Sequence, residues 1–222
     1  MKLFTSFAVL FLIACPLQAQ SRSAPVTVAP WHRYVAPGAA PAEISAVSTR
    51  AAVRVTDGQT YTVETTYHGP QKAIFRRTAP DRSLVMGREG HWYWSHDGET
   101  QKEQGADVRE FILGHQFHAQ LLFPGAFDLD GEAVTRRDTE CNCVTWAATD
   151  IDGNLIAVNV DPDSGKPLFM TTEYRRHGVV TASYHDWGDY GGYRLPAAIT
   201  IQHGDRSFQY RFDRISLDEV CL

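Results

Sequence analysis

The sequence lacks a C-x-x-C pair, an H-E-x-x-H helix motif and any excess of basic charge, and each absence removes a class of function. Four cysteines occur in 222 residues, and Cys141 and Cys143 are one residue apart, where redox and zinc sites usually have two between them. Lys and Arg total 21 against 26 Asp and Glu, a net charge of −5, with a pI near 6.0. That balance carries no electrostatic footprint for nucleic acid. The apolar run from Leu3 to Ala14 is too short to span a bilayer comfortably. What is present is 43% hydrophobic and 21% charged residues, the composition of a globular protein with one domain of ordinary size or two small ones.

The ends of the chain read separately from its body. Lys2 and the apolar stretch after it form an export signal over residues 1–19. Cleavage after Ala19 releases a soluble periplasmic protein. Leu12-Ile13-Ala14-Cys15 resembles a lipobox, and lipidation at Cys15 tethers the chain to a membrane instead. Both readings stand. Residues 20–41 are rich in Ala, Pro and Ser without periodicity, so they are expected to form a flexible linker, Trp31 and Tyr34 included.

From residue 42 onward, turn signals come quickly. Asp57-Gly58, His68-Gly69-Pro70, Glu89-Gly90, Asp97-Gly98, Asp152-Gly153, Asp163-Ser164-Gly165, His177-Gly178 and Gly204-Asp205 punctuate the chain. Between them lie alternating runs such as Tyr61, Val63, Thr65 and Tyr67, or Val144, Trp146 and Ala148. Period-two alternation marks strands with one buried face. The clearest pair is Ala197, Ile199 and Ile201 with Phe208, Tyr210 and Phe212, a hairpin closed by His203-Gly204-Asp205-Arg206. Strands at this spacing form an antiparallel sheet that curls into a sandwich or barrel. One segment breaks the pattern. Residues 107–123 are apolar at 108, 111, 112, 119 and 122, and Leu113, Phe117 and Leu121 widen the stripe around most of a helix that Pro124-Gly125 ends. Such a helix needs cover on several sides, so the expected architecture is mostly β, a curved antiparallel sheet wrapped around it.

The chemistry-bearing residues do not assemble into a catalytic signature. His115 and His118 form H-x-x-H on the expected helix, but no third ligand joins them, and two satisfied histidines at a helix–sheet contact explain them better than a metal or a hydrolase. Asp163-Ser164-Gly165 matches the aspartic-protease tripeptide but has no second copy and reads as a turn. No cofactor or metal is called for, and the chain is read as a non-enzyme. If Cys141-Asn142-Cys143 is extended, its thiols share a face but stand too far apart to bridge easily. Cys221 is then the expected partner of Cys141 or Cys143, a staple worth about 2–4 kcal/mol in an oxidising compartment.

Ile156 to Asp161, followed by Pro162-Asp163-Ser164-Gly165-Lys166-Pro167, resembles the strand–turn–strand of the lipoprotein-localisation carriers LolA and LolB. Asp189-Tyr190-Gly191-Gly192-Tyr193-Arg194-Leu195-Pro196 is similar to their entry into the final hairpin. The likeness runs from about Ala51 to Leu217. It implies a half-open β-barrel over residues 42–222 with a hydrophobic cavity for acyl chains. The residues then expected to line it are Tyr61, Val63, Trp92, Trp94, Phe111, Phe117, Trp146 and Phe208. Those carriers hold a lid with an arginine, whose place here stays open among Arg76, Arg77 and Arg82. The implied function is a carrier for a lipid, lipoprotein acyl chains or another hydrophobic ligand, in the periplasm or on the outer membrane facing it. A non-catalytic envelope interaction module with a self-filled core is the alternative, and a hydrolase using His115 and His118 the weaker one.

Overall fold

The computed structural model describes residues 29, 31–38, 44–69, 72–90, 92–96, 101–103, 116–123, 127–128, 136–138, 141–150, 153–174 and 178–219. Alternation becomes strands throughout. In chain order they are β1 (Ile44–Val55), β2 (Thr60–His68), β3 (Lys72–Thr78), β4 (Ser83–Glu89), β5 (Trp92–His96), β6 (Gln101–Glu103), β7 (Phe127–Asp128), β8 (Arg136–Asp138), β9 (Cys143–Asp150), β10 (Leu155–Val160), β11 (Pro167–Tyr174), β12 (Gly178–Tyr190), β13 (Tyr193–His203) and β14 (Arg206–Glu219). Two short helices, α1 (His32–Val35) and α2 (Phe117–Leu122), complete the described elements.

All strands join one antiparallel, unclosed, curved sheet in the order β6-β5-β4-β3-β2-β1-β14-β13-β12-β11-β10-β9-β7, with β8 also on β9. Two meanders therefore meet where β1 pairs with β14, from Val55 opposite Phe208 to Ile44 opposite Glu219. The inner face of β1 is Val47, Thr49, Ala51, Val53 and Val55, all buried, while Arg50, Ala52 and Arg54 face solvent. Burying an aliphatic or aromatic side chain contributes about 1.5–3 kcal/mol. The outer-face ion pairs Arg50–Glu64, Arg76–Glu64 and Lys72–Glu89, at 3.5 to 3.9 Å and well exposed, contribute about 0–1 kcal/mol each. The inner face holds the sheet.

The turns follow local chemistry. Gly204-Asp205 forms the two-residue turn between β13 and β14, with Gly204 at φ +59°. Asp161 accepts hydrogen bonds from the Ser164 N–H and Oγ, both at 2.8 Å, so Asp163-Ser164-Gly165 is a turn. Asp189 accepts from the Gly192 N–H at 3.0 Å and closes the β12–β13 hairpin in the same way. Among the described residues no helix is long and apolar enough to cross a membrane. The export signal, Cys15 and Cys221 lie outside the described residues.

Three expectations need correction. The supposed linker over 20–41 contains part of the core: Trp31 is fully buried, α1 packs against α2 and β13, and the Tyr34 ring lies 5.2 Å from that of Trp187. Composition hid this, because the two aromatics and Val35 bury more apolar surface than the surrounding Ala and Pro foretell. The helix expected over 107–123 is observed over Phe117–Leu122, with Gln116 at φ −87°, ψ 31° just outside it, and 104–115 lie outside the described residues. Cys141 pairs with Cys143, not with Cys221. The segment is a turn rather than a strand: Asn142 has φ +48°, which brings the two Cα atoms to 5.2 Å, within bridging range. So short a loop places this bridge toward the low end of the roughly 0–5 kcal/mol range for disulfides.

If Trp31 is core, Trp31→Ala lowers the unfolding free energy by about 3–5 kcal/mol, read as a shift of the urea midpoint. An unshifted midpoint would return the segment to linker status.

Candidate ligand-binding site

Register assembles the concave face into rows that cross the strands. One row runs Tyr61–Val53–Tyr210–Ile199–Tyr184 through β2, β1, β14, β13 and β12. The next runs Val55–Phe208–Ile201–Ala182–Met170–Val158–Trp146, reaching β9. A third places Leu84, Arg77, Val63, Ala51 and Phe212 side by side. Alternation along each strand puts all of these on one side.

Helix α2 lies on this face. The Phe117 ring is 6.2 Å from the Tyr210 ring, and the His118 ring is 4.5 Å from that of Phe212. His118 Nε2 lies 3.0 Å from the Pro196 carbonyl oxygen. Among the described residues a cavity of about 10 Å³ lies between α2 and the rows, bounded by Val63, Tyr67, Phe117, Tyr210 and their neighbours. That is room for one water at most. A cavity of about 440 Å³ opens instead at the hairpin end of the face, between Tyr61, Arg77, Leu84 and the turn Ala79–Arg82. Arg77 stacks on Tyr61, its guanidinium carbon 4.1 Å from the ring centroid. Burial raises the Tyr61 hydroxyl pKa, while the Tyr210 hydroxyl and Arg77 pull it the other way. A larger depression, about 950 Å³, lies on the opposite face of the sheet over Ala52, Thr62, Ala198 and Thr200, and belongs to the solvated side.

Of the residues expected to line a cavity, Tyr61, Val63, Phe117, Trp146 and Phe208 lie on the concave side, the first three buried and the last two half-buried. Trp94 does not. It pairs with Gly87 on the outer face, where a Cβ at Gly87 would fall inside its ring, and Tyr93 is the β5 residue that turns inward. The physical reason is the run of three aromatics, in which either phase of the alternation looks apolar. Trp92 is register-paired with Glu89, with its side chain outside the description, and Phe111 lies outside the described residues. Sequence reasoning missed Tyr210, the hub between Tyr61, Val53 and Phe117, although its place midway between Phe208 and Phe212 marked its face. It left Arg77 open beside Arg76 and Arg82, because no local pattern distinguishes Arg77 from Arg76. Arg76 pairs with Glu64 on the outer face, and Arg82 sits in the β3–β4 turn.

Of the H-x-x-H motif, only His118 is among the described residues, and His115 lies outside them. His118 is enclosed with Nε2 committed to Pro196. Burial lowers the His118 pKa to about 4, against a smaller upward pull from the Pro196 carbonyl, and burial also lowers His32 on α1 to about 4. Among the described residues no group of three or more His, Cys, Asp or Glu side chains could hold a metal ion.

Both histidines are neutral in the folded protein and titrate near 6.5 when unfolded, so the unfolded chain binds more protons in between. Their contribution is complete above about pH 6.5 and is lost as pH falls toward about 4. The melting temperature should therefore be flat from pH 8 to 7 and drop from pH 6.5 to 5, above the range where carboxylates titrate. His118→Gln, uncharged throughout, should flatten that drop; an unaltered slope would remove His118 from the account.

No family model matches the chain, and no curated protein matches it. Solved structures do. A LolA superfamily protein from Nitrosomonas europaea aligns at TM-score 0.59 and 12% identity, covering 86% of this chain and 93% of that one. A DUF1329 family protein from Desulfovibrio piger aligns at 0.54 and 11%, covering 81% and 88%. An outer-membrane lipoprotein-sorting protein domain from Vibrio parahaemolyticus aligns at 0.51 and 9%, covering 80% and 86%. The chain has the LolA-like fold, a half-open antiparallel barrel, and shares with these proteins its architecture rather than its sequence.

Proposed function

We propose that the protein is an exported, non-catalytic carrier that binds the acyl chains of a lipid or an acylated protein on its concave face, in the periplasm or held at the outer membrane through Cys15. The observation that carries this reading is an apolar, many-stranded concave face whose cover among the described residues is two helices of four and six residues. A six-residue helix has no stability of its own and stays only because its side chains pack. Exposing Phe117, Leu121 and Leu122 costs about 1.5–3 kcal/mol each, and burying an acyl chain returns about 0.8 kcal/mol per methylene. About ten methylenes therefore offset the displacement of α2. The exchange is passive, with ligand taking the place of helix against Val53, Val63 and Tyr210.

A second reading rests on the same interior. The roughly 10 Å³ left beside Phe117 fits an envelope interaction module whose core is filled by its own side chains.

Native mass spectrometry of the protein purified without harsh detergent separates the two. The carrier predicts a reproducible adduct of lipid mass that Phe117→Glu abolishes while the fold survives by circular dichroism. A clean apoprotein mass, with no lipid taken up on addition, would reject the carrier and leave the interaction module. The same spectrum reads whether Cys15 has been removed or carries acyl chains.

A further inference from the structure

The cavity at the hairpin end carries a positive charge that stays accessible, whereas Arg88, the other arginine of this phase on β4, is buried over the Tyr93 ring with its Nε donated to the Gly90 carbonyl. In the row Leu84–Arg77–Val63–Ala51–Phe212 a guanidinium takes a place that its neighbours give to aliphatic and aromatic side chains. Arg77 is half-buried there, stacked on the Tyr61 ring. Among the described residues no carboxylate lies within ion-pair distance of it. Arg50, Arg76 and Arg211 on the solvated side, and Arg206 beside the β13–β14 turn, each have one. The nearby Asp57 is engaged by Arg206 at 3.3 Å, and the cavity lining itself carries Arg77 and Arg82 against the single Asp81.

Placing a guanidinium in an apolar wall removes water from it without supplying an acceptor. The Tyr61 ring compensates through its π face, and leaves the in-plane N–H donors unused. Those donors form a flat fork that matches two oxygens of a phosphate. The Tyr61 ring also belongs to the adjoining row, so an anion held at Arg77 sits where the apolar path over Val53 and Tyr210 begins.

We propose that Arg77, held on Tyr61, is an anion-binding subsite that takes the phosphate of a phospholipid headgroup while the acyl chains lie along the concave rows. This rests on the carrier reading and narrows its ligand to a phosphate-bearing lipid. The stacked arginine sets the headgroup end, and α2 yields the space for the chains.

The test titrates the full-length protein with phosphatidylglycerol, with diacylglycerol of the same chains, and with inorganic phosphate. Phosphatidylglycerol should bind about tenfold more tightly than diacylglycerol, the effect of one charge-assisted contact. Arg77→Gln should bring phosphatidylglycerol down to the affinity of diacylglycerol, Arg77→Lys should restore part of the difference, and added salt should weaken only the phospholipid. Equal affinities in the unmodified protein, or a preference that survives Arg77→Gln, would overturn the subsite and leave the carrier standing. Failure of both lipids to bind would overturn the carrier and the subsite together, including the case in which inorganic phosphate alone binds at Arg77. Should Arg77→Gln fail to fold, the preference of the unmodified protein and its loss in salt decide the matter.

Discussion

The pairing of β1 with β14 is the constraint on which the rest depends. It joins Ile44–Val55 to Phe208–Glu219, segments at opposite ends of the domain, and turns two meanders into one sheet. Closing so long a loop is entropically costly and rewards the chain only once the contacts form. Without it each meander would present a long unpaired edge. With it, Val53 lies between Tyr61 and Tyr210, and the concave face becomes continuous. The register slips twice, at Ser45 between Ile44 and Ala46, and again between Arg50 and Ala51, where Asp213 is left as an extra residue on β14. That bulge lets Phe208, Tyr210 and Phe212 on one side of it, and Ile215 and Leu217 on the other, all face inward.

The helix layer is stabilised by the sheet rather than the reverse. Helix α2 buries every residue from Phe117 to Leu122, including the polar His118 and Gln120. Enclosing such groups is costly unless they are satisfied, and the Pro196 carbonyl answers His118. The neutral imidazole is thus an anchor, and its burial, against the smaller upward pull of the Pro196 carbonyl, is what suppresses its basicity. A short helix held to the sheet by the His118 hydrogen bond and by ring contacts is also the element most readily exchanged for an apolar ligand. Attachment and release draw on the same contacts.

The two faces of the sheet divide the labour. Outside, Thr, Arg and Glu form exposed pairs that keep the sheet soluble and add little stability. Trp94 is the exception, covering the backbone at Gly87, where any side chain would displace it. Inside, the only charge in the three central rows is Arg77, and its stack on Tyr61 makes it part of the apolar wall.

Strands, hairpins and turns were legible from the sequence because their causes are local. Alternation in 197–212 specifies which residues share a face, and Asp161 and Asp189 close their turns with N–H groups two or three residues away. The wrapping of a curved sheet around a greasy helix also followed, since a helix apolar nearly all round has nothing else to bury against. Only the tertiary structure decided the rest. It chose the inner phase of Trp92-Tyr93-Trp94, where both phases are apolar, and drew Trp31 and Val35 out of an Ala- and Pro-rich stretch into the core. It paired Cys141 with Cys143 through a left-handed Asn142, and set Arg77 rather than Arg76 on the concave side. Each of these depends on what a residue meets across the fold, and those neighbours are brought together only when β1 closes on β14.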